Sequence, residues 1–596
     1  MKIAKEWLGI AALAGLTVFL LAVSWRKWPD PLVDFSRELY VPWRLANGAV
    51  LYRDVEDIFG PLSQSLNAGL FALFGPGLMV LVAANLAVFA AILAAIYLLF
   101  RRAWGPGPAL IAAGLFVAVF GFSQFTGIGN YNYATPYCHE ATHGFLVCLL
   151  LVAALWRWTE QATVSRGAWA GLLLGLTAVL KPEFMLIGGL VTAAAVAVQR
   201  CQGRPLHFPE VAAWAGAAAL PTAGFTIWFS RAMPWRAAFA SAGRAWINVV
   251  STGRFTGELV QRSFLGFDHP RRRLEAQTAA TLLALAAIAG IAGTAWLADR
   301  SQRSGRKFLL AALAVAAALW LGCRGIDWLE SGRCFLGLVV LYLFASVFSL
   351  RRSLSGPDAS AAVLRLLIAV LAAALMGRMV LNGRLYHYGF YQAALAGILI
   401  PAFLLGELPA RLRLGACGRA VVVGTTLLLL VPGAAILVNR SQALLRAKTE
   451  AVGTGRDLFY AFPPAILGTG DVVRVTGEWL GRLPPGQTLV VLPEGEMINY
   501  LARMPSSVAP FVFYAATTSH GREEAIVAEL QRHPPDWIAL VSRDLRDYGI
   551  PVYGDKPGEG LEILDWVRDH YEAAMTVGGS PLDPQACGGI VLQHRR

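Results

Sequence analysis

Residues 77–100 read GLMVLVAANLAVFAAILAAIYLLF and run straight into Arg101-Arg102. A stretch of that length without a charge exceeds the ~20 residues a helix needs to cross the hydrocarbon core. A basic pair at its end is what a cytoplasmic boundary looks like. The rest of the chain repeats this pattern. Of its 596 residues, 56% are hydrophobic and 15% charged, against about a quarter charged in a soluble globular protein. Apolar windows lie near 7–25, 77–100, 108–124, 141–156, 168–180, 184–199, 210–229, 276–298, 308–322, 334–350, 361–381, 389–406 and 419–438. They predict a polytopic α-helical membrane protein with about 13 transmembrane helices filling residues 1–438. The windows 168–180 and 184–199 are short and read as tilted or partly re-entrant. The apolar run that follows Met1–Glu6 outlasts the ~7–15 residues of a signal h-region, so it is expected to be the first span.

Alternating the spans from a cytoplasmic N-terminus puts Arg101-Arg102, Arg157, Arg166, Arg200, Arg204, Arg300 to Lys307, Arg351-Arg352, Arg411, Arg413 and Arg419 inside, with almost no acid among them. That is the positive-inside pattern. Arg271-Arg272-Arg273 is the exception and falls outside. The net charge of +13 is dispersed over these loops, so the expected partner is the lipid bilayer and no nucleic acid. Seven cysteines do not make a disulfide framework. Cys323 and Cys334 flank one outer loop, either bridged or as two free thiols.

An odd number of spans places residues 439–596 outside the cell. Here the composition changes: 15 basic and 19 acidic residues give −4 and leave +17 for the membrane part. Strands are predicted at Thr488–Leu492, Trp537–Val541 and Gly589–Gln593, and amphipathic helices at Asp471–Leu483, Arg522–Arg532 and Leu561–Tyr571. The tail is expected to be a small soluble extracytoplasmic α/β domain, without the glycine-rich turn of a nucleotide loop.

The first outer loop, 26–76, carries two amphipathic stripes: Phe35, Leu39, Trp43 and Ala46, stopped by Gly48, then Leu62, Leu66, Leu70 and Phe74 after Pro61. Two helices on the membrane surface are expected. Ionisable groups at membrane depth or rim are costly and are functional candidates by default. Asp34 and Glu38 lie one helical turn apart; Asp54, Glu56 and Asp57 follow. The second outer loop runs from Asn130 to His143. Lys181-Pro182-Glu183 interrupts an apolar run. Arg324, Asp327, Glu330 and Arg333 come later, then Arg378, Arg384, Tyr386, His387, Tyr388 and Tyr391. Acids come early, and cations with aromatics come late. A carboxylate to take a proton and cations to neutralise a phosphate would together activate a hydroxyl for transfer. Each residue also has a plain structural alternative: a solvated turn, a snorkelling cation or an interfacial aromatic belt.

His139-Glu140-x-x-His143 places two imidazoles i,i+4 on a helix, the spacing of a membrane zinc protease with Glu140 as base. The alternative is that His139, Glu140 and His143 line the same cavity as Asp34, Glu140 as a second acid and the histidines binding phosphate or acceptor. A divalent metal is open in either case, and no other cofactor is expected.

Val33-Asp34-Phe-Ser-Arg-Glu38, Asn47-Gly48-Ala-Val-Leu-Tyr52-Arg53-Asp54 and Phe59-Gly60-Pro61-Leu62 resemble the first outer loop of the C-type membrane glycosyltransferases. Protein O-mannosyltransferases, aminoarabinose transferases and the oligosaccharyltransferase catalytic subunit are among them. The tail run Leu492-Pro-Glu494-Gly-Glu496-Met-Ile-Asn499-Tyr500 is similar to tails of bacterial members. The resemblance implies about a dozen spans, a polyprenyl-phosphate sugar donor and a glycan, lipid or protein acceptor. It also implies residence in a bacterial inner membrane. It makes Asp34 the catalytic carboxylate of an inverting transfer, with Glu38, Asp54 and Glu140 as candidates for a partner acid. Lys181, Arg378, Arg384, His387 and Tyr388 become candidates for the substrate site. Phe35 follows Asp34 where mannosyltransferases have a second acid. Outside this family, an envelope-glycan flippase, polymerase or transporter is the rival, for which internal span repeats are expected and none is evident.

Overall fold

The computed structural model describes residues 2–127, 129, 131–250, 258–301, 304–353, 358–386, 389–514, 522–583 and 588–596. Each of the apolar windows falls on a helix. Among the described residues ten helices are long and apolar enough to cross a membrane, from Ala4–Ser24 to Ala416–Ala447, and two shorter apolar ones lie at Pro106–Gly121 and Phe390–Gly406. The last apolar helix continues past Asn439 to Ala447. Cys323 and Cys334 are free thiols.

The short window 168–180 becomes the helix Val164–Ala178, packed on Phe208–Phe229. Gly167, Gly171 and Gly175 repeat every four residues and meet the carbonyls of Glu210, Trp214 and Ala218, which repeat likewise. A Cβ on Gly171 would lie 2.0 Å from the Trp214 oxygen. Lipid gives no hydrophobic drive to pair helices, so small residues that let backbones approach supply the contact.

The first loop folds into the helices Ser36–Ala46 and Pro61–Phe74. The first of these departs from expectation. It does not lie free on a surface but is wedged between the bundle and the tail, with Leu39, Tyr40, Val41 and Trp43 all buried. The tail covers it: Ser506 N donates to the Tyr40 hydroxyl at 2.9 Å and Glu56 N to the Ala509 carbonyl at 3.0 Å. Gly60 fastens the loop to the bundle. Its amide donates to Leu180 O at 2.8 Å, and a Cβ there would sit 2.2 Å from Val179 O.

In the tail, β1 (Glu450–Val452) pairs with β2 (Phe459–Ala461). A four-stranded sheet has the order β3 (Leu489–Leu492), β4 (Trp537–Val541), β6 (Gly589–Arg595), β5 (Tyr571–Gly578). β3 and β4 are parallel, and the other pairs are antiparallel. Alternate residues of β3 and β4 serve two cores. Val490, Leu492, Ile538 and Leu540 pack with the tail's own helices. Leu489, Val491, Trp537, Ala539 and Val541 belong to a core continuous with the membrane bundle. Strands buried on both faces read as unbroken apolar runs, which is how β3, β4 and the start of β6 appear in the sequence. The expected helices occur at Thr469–Leu480, Arg522–Arg532 and Leu561–His570; Tyr571 opens β5 instead of ending the last of them.

Candidate active-site cavity

Asp34 sits immediately before Phe35, whose φ of 72° is left-handed. A bulky aromatic in that region is a genuine outlier, and such strain gathers at functional sites. The kink starts the helix Ser36–Ala46 and leaves Asp34 on the wall of a cavity of about 220 Å3. Arg37, Glu56, Asp57 and Phe59 of the first loop also line it, with Tyr137, Lys181 and Arg378 from the bundle and Glu494, Glu496, Tyr514 and Arg543 from the tail. A second space of about 330 Å3 lies between Asp30–Asp34 and the tail, and it shares Val33, Asp34 and Arg543 with the first. Asp34 therefore stands where two chambers meet.

Lys181 is 2% exposed. Its ammonium lies 4.0 Å from the Phe59 ring centroid and 5.2 Å from that of Tyr137, and donates to the Tyr137 hydroxyl at 3.4 Å. Among the described residues it makes no ion pair with a carboxylate. A buried cation held by two aromatic faces and one hydroxyl is incompletely compensated and favours an anion in the cavity. Arg378 lines the same cavity and pairs with Glu183, whose other oxygen accepts from Tyr391 at 3.0 Å.

Glu38 and Glu140 do not reach the cavity. Both are fully buried beneath it, where Gln64 donates to Glu38 at 3.2 Å and to Glu140 at 3.3 Å, and Arg37 pairs with both. Burial by itself would raise the Glu38 carboxyl. Arg37 and His139 beside it more than offset that and hold it well below the usual carboxylate range. These acids act as a seat for Arg37, which extends over Phe59 at 4.5 Å.

His139 belongs to the same network. The Asn67 amide meets its Nδ1, Asn85 meets Nε2 at 2.8 Å, and Glu38 lies 3.1 Å from Nδ1. His143 Nδ1 is 2.9 Å from the Ser63 hydroxyl. With both nitrogens of His139 engaged, the string does not fit a metal centre, and among the described residues no group of three or more His, Cys, Asp or Glu could hold one.

Asp54 is placed in a turn: it accepts from Val50 N at 2.8 Å and pairs with Arg53 at 2.7 Å. Asp57 lines the cavity beside Glu56. It is 1% exposed, one oxygen accepts from Phe59 N at 3.0 Å, and the other makes no hydrogen bond among the described residues. Burial, against the pull of Arg37, raises its carboxyl. Arg384 lines a different cavity. His387 and Tyr388 lie outside the described residues.

Glu494, Glu496 and Arg543 were not foreseen as site residues. Glu494 pairs with Arg543 and accepts from Tyr514 at 2.9 Å. Glu496 accepts from Ser36 at 2.8 Å. For Glu494 and Glu496 the sequence signal is the Leu492–Tyr500 run itself; Arg543 has none.

No family model matches the sequence, and no curated protein matches it. Solved structures do. The Archaeoglobus fulgidus oligosaccharyltransferase tethered with an acceptor peptide is similar over 99% of this chain and 74% of that one, at 12% identity and a TM-score of 0.50. The same protein in complex with zinc and sulfate is similar over 88% and 67%, at 12% identity and 0.47. ArnT from Cupriavidus metallidurans, bound to undecaprenyl phosphate, is similar over 98% and 97%, at 13% identity and 0.42. Identity this low speaks to fold alone, and the first of these structures carries that point: this chain is similar in fold to the archaeal oligosaccharyltransferase.

Proposed function

We propose that the protein is a membrane glycosyltransferase that takes a sugar from a polyprenyl-phosphate donor, with Asp34 as general base. The observation that carries this reading is the lining of one cavity by the Asp34 carboxylate, the buried Lys181 ammonium and Arg378. The donor phosphate sits by Lys181 and Arg378, and the acceptor hydroxyl enters from the tail-side chamber. Asp34 takes the hydroxyl proton as the oxygen bonds to the anomeric carbon. The carbon–oxygen bond to phosphate breaks on the opposite face, and the phosphate leaves with the electron pair. Lys181 and Arg378 neutralise its growing charge. Attack opposite the leaving group inverts the anomeric centre. Oligosaccharyltransferase structures tethered with an acceptor peptide and ArnT structures bound to undecaprenyl phosphate supply the classes of acceptor and carrier to try first.

The test is release of polyprenyl phosphate from a panel of polyprenyl-phosphate sugars by the full chain in liposomes. Asp34→Asn keeps the shape and removes the base; turnover should fall by about 100-fold or more. Lys181→Met should weaken donor binding. A correctly inserted Asp34→Asn protein turning over at the wild-type rate would refute the assignment.

A further inference from the structure

A third cavity, of about 200 Å3, opens where the helix Pro270–Arg300 begins. It is lined by His269, Arg272, Arg273, Gln277, Arg333 and Arg384, with Asn382 beside them. Glycines bring these residues together. Gly332 and Gly383 abut: a Cβ on Gly332 would lie 3.0 Å from Arg384 N, and one on Gly383 would lie 2.4 Å from Gly332 O. The two loops can therefore touch backbone to backbone and present Arg333 and Arg384 side by side.

Two of the four arginines are already compensated. Arg273 makes a forked pair with Asp268, at 2.7 and 2.6 Å, and donates to Asn382 at 2.8 Å. Arg333 pairs with Glu330 at 2.7 Å. Arg272 and Arg384 make no ion pair among the described residues; Arg384 lies over the Tyr386 ring at 5.6 Å. The side-chain oxygen of Gln277 is buried and accepts no hydrogen bond among the described residues, so a ligand with a hydroxyl would satisfy it.

We propose that this cavity binds the phosphate of an anionic membrane lipid, Arg272 and Arg384 forking onto its oxygens. The neighbouring surface suits a lipid tail. Leu274 is 54% exposed and Phe267 41%, at the end of an apolar helix long enough to span. The loop that supplies Leu381–Arg384 follows directly on Arg378 of the Asp34 cavity, so the two cavities are neighbours along the chain. The site also gives a reason for Arg272 and Arg273, which the alternating topology puts on a face that the charge rule leaves poor in arginine. It does not depend on the sugar-transfer reading.

The test is lipid retention by the full chain taken from nanodiscs of mixed phosphatidylglycerol and phosphatidylcholine, read by native mass spectrometry. Wild type should keep phosphatidylglycerol selectively. The double variant Arg272→Gln/Arg384→Gln should keep it about tenfold less well or worse. Arg271→Gln, at a side chain 92% exposed and paired with Glu275, and Asp34→Asn should keep it as wild type does. Resistance of the bound lipid to millimolar inorganic phosphate identifies the headgroup as the ligand, and displacement identifies a free-phosphate site that lipid also enters. Wild-type retention by a double variant of unchanged melting temperature overturns the proposal. Should the double variant not fold, wild-type retention by Arg272→Gln alone does the same.

Discussion

The Ser36 hydroxyl donates a 2.8 Å hydrogen bond to the Glu496 carboxylate, across 460 residues of sequence. It joins the helix that follows Asp34 to the tail. Burial first, and the charge of Glu494 second, push the Glu496 carboxyl up to about 7. The folded protein therefore holds a proton that the unfolded chain releases near its ordinary value of 4.5. Where the native state binds more protons, stability falls as pH rises. Between roughly pH 4.5 and 7 the loss amounts to about 3 kcal/mol at most. Thermal unfolding across that window should show a declining midpoint for wild type and a flatter one for Glu496→Gln. Equal slopes would mean that Glu496 titrates normally.

Glu38 and Asp54 separate sharply as acids. Removing Glu38 leaves half-buried Arg37 with Glu140 alone and takes the carboxylate from beside buried His139, which costs up to roughly 3–5 kcal/mol. Glu38→Ala should lower the melting temperature steeply and reduce the yield of folded protein. Asp54 pairs with Arg53 in a half-exposed turn, a contact worth at most about 1 kcal/mol. Asp54→Asn should leave both stability and transfer close to wild type. A large loss of turnover in a stable Asp54→Asn protein would return that residue to the list of partner acids.

The bundle was legible because lipid tolerates so few sequences: a charge-free run of spanning length has few other fates. Lys181 was legible for the same reason, as a charge interrupting an apolar run. The tail's share of the site was not, since Glu494 and Arg543 reach the cavity only after the tail packs on the first loop, a contact that local periodicity does not encode. Arg378 and Arg384 are six positions apart and looked like one group; the 3-10 turn Gly377–Met379 and the backbone bond from Leu381 N to Leu265 O send them to separate cavities. β5 carries no hydrophobic signature in the sequence, because most of its residues are exposed. The histidine string matched a metal spacing, yet the surrounding Asn67, Asn85, Ser63 and Glu38 decide what those imidazoles do.

Gly60 tests whether the first loop positions Lys181. Its amide bonds to Leu180 O, next to Lys181, and a Cβ would come within 2.2 Å of Val179 O and 2.8 Å of Leu180 O. Those are backbone atoms and cannot swing aside as a flexible side chain would. Gly60→Ala should push the loop off the Lys181 turn, costing about 1–3 kcal/mol by overpacking. It should weaken donor binding more than a surface glycine change of the same kind. Gly69→Ala, where a Cβ meets nothing within 4 Å, is the control, measured by melting temperature and donor KM together.

Gly171 tests the helix pair in the membrane. A Cβ there would lie 2.0 Å from the Trp214 carbonyl oxygen, and one on Gly175 2.2 Å from that of Ala218. The partner atoms are again backbone, so any side chain must part the two helices along their length. Lipid fills the gap at little cost, because the contact was held by close packing rather than by expulsion of water. Gly171→Leu should therefore yield a protein that inserts but loses the close pairing of Val164–Ala178 with Phe208–Phe229. A cysteine pair placed across the interface, efficiently cross-linked in an otherwise wild-type chain, should fail to cross-link in the variant. Gly189→Leu, at a helical glycine with open space around its Cβ, should leave the cross-link intact. Equal cross-linking in both would show that the pair is held by something other than the glycine stripe.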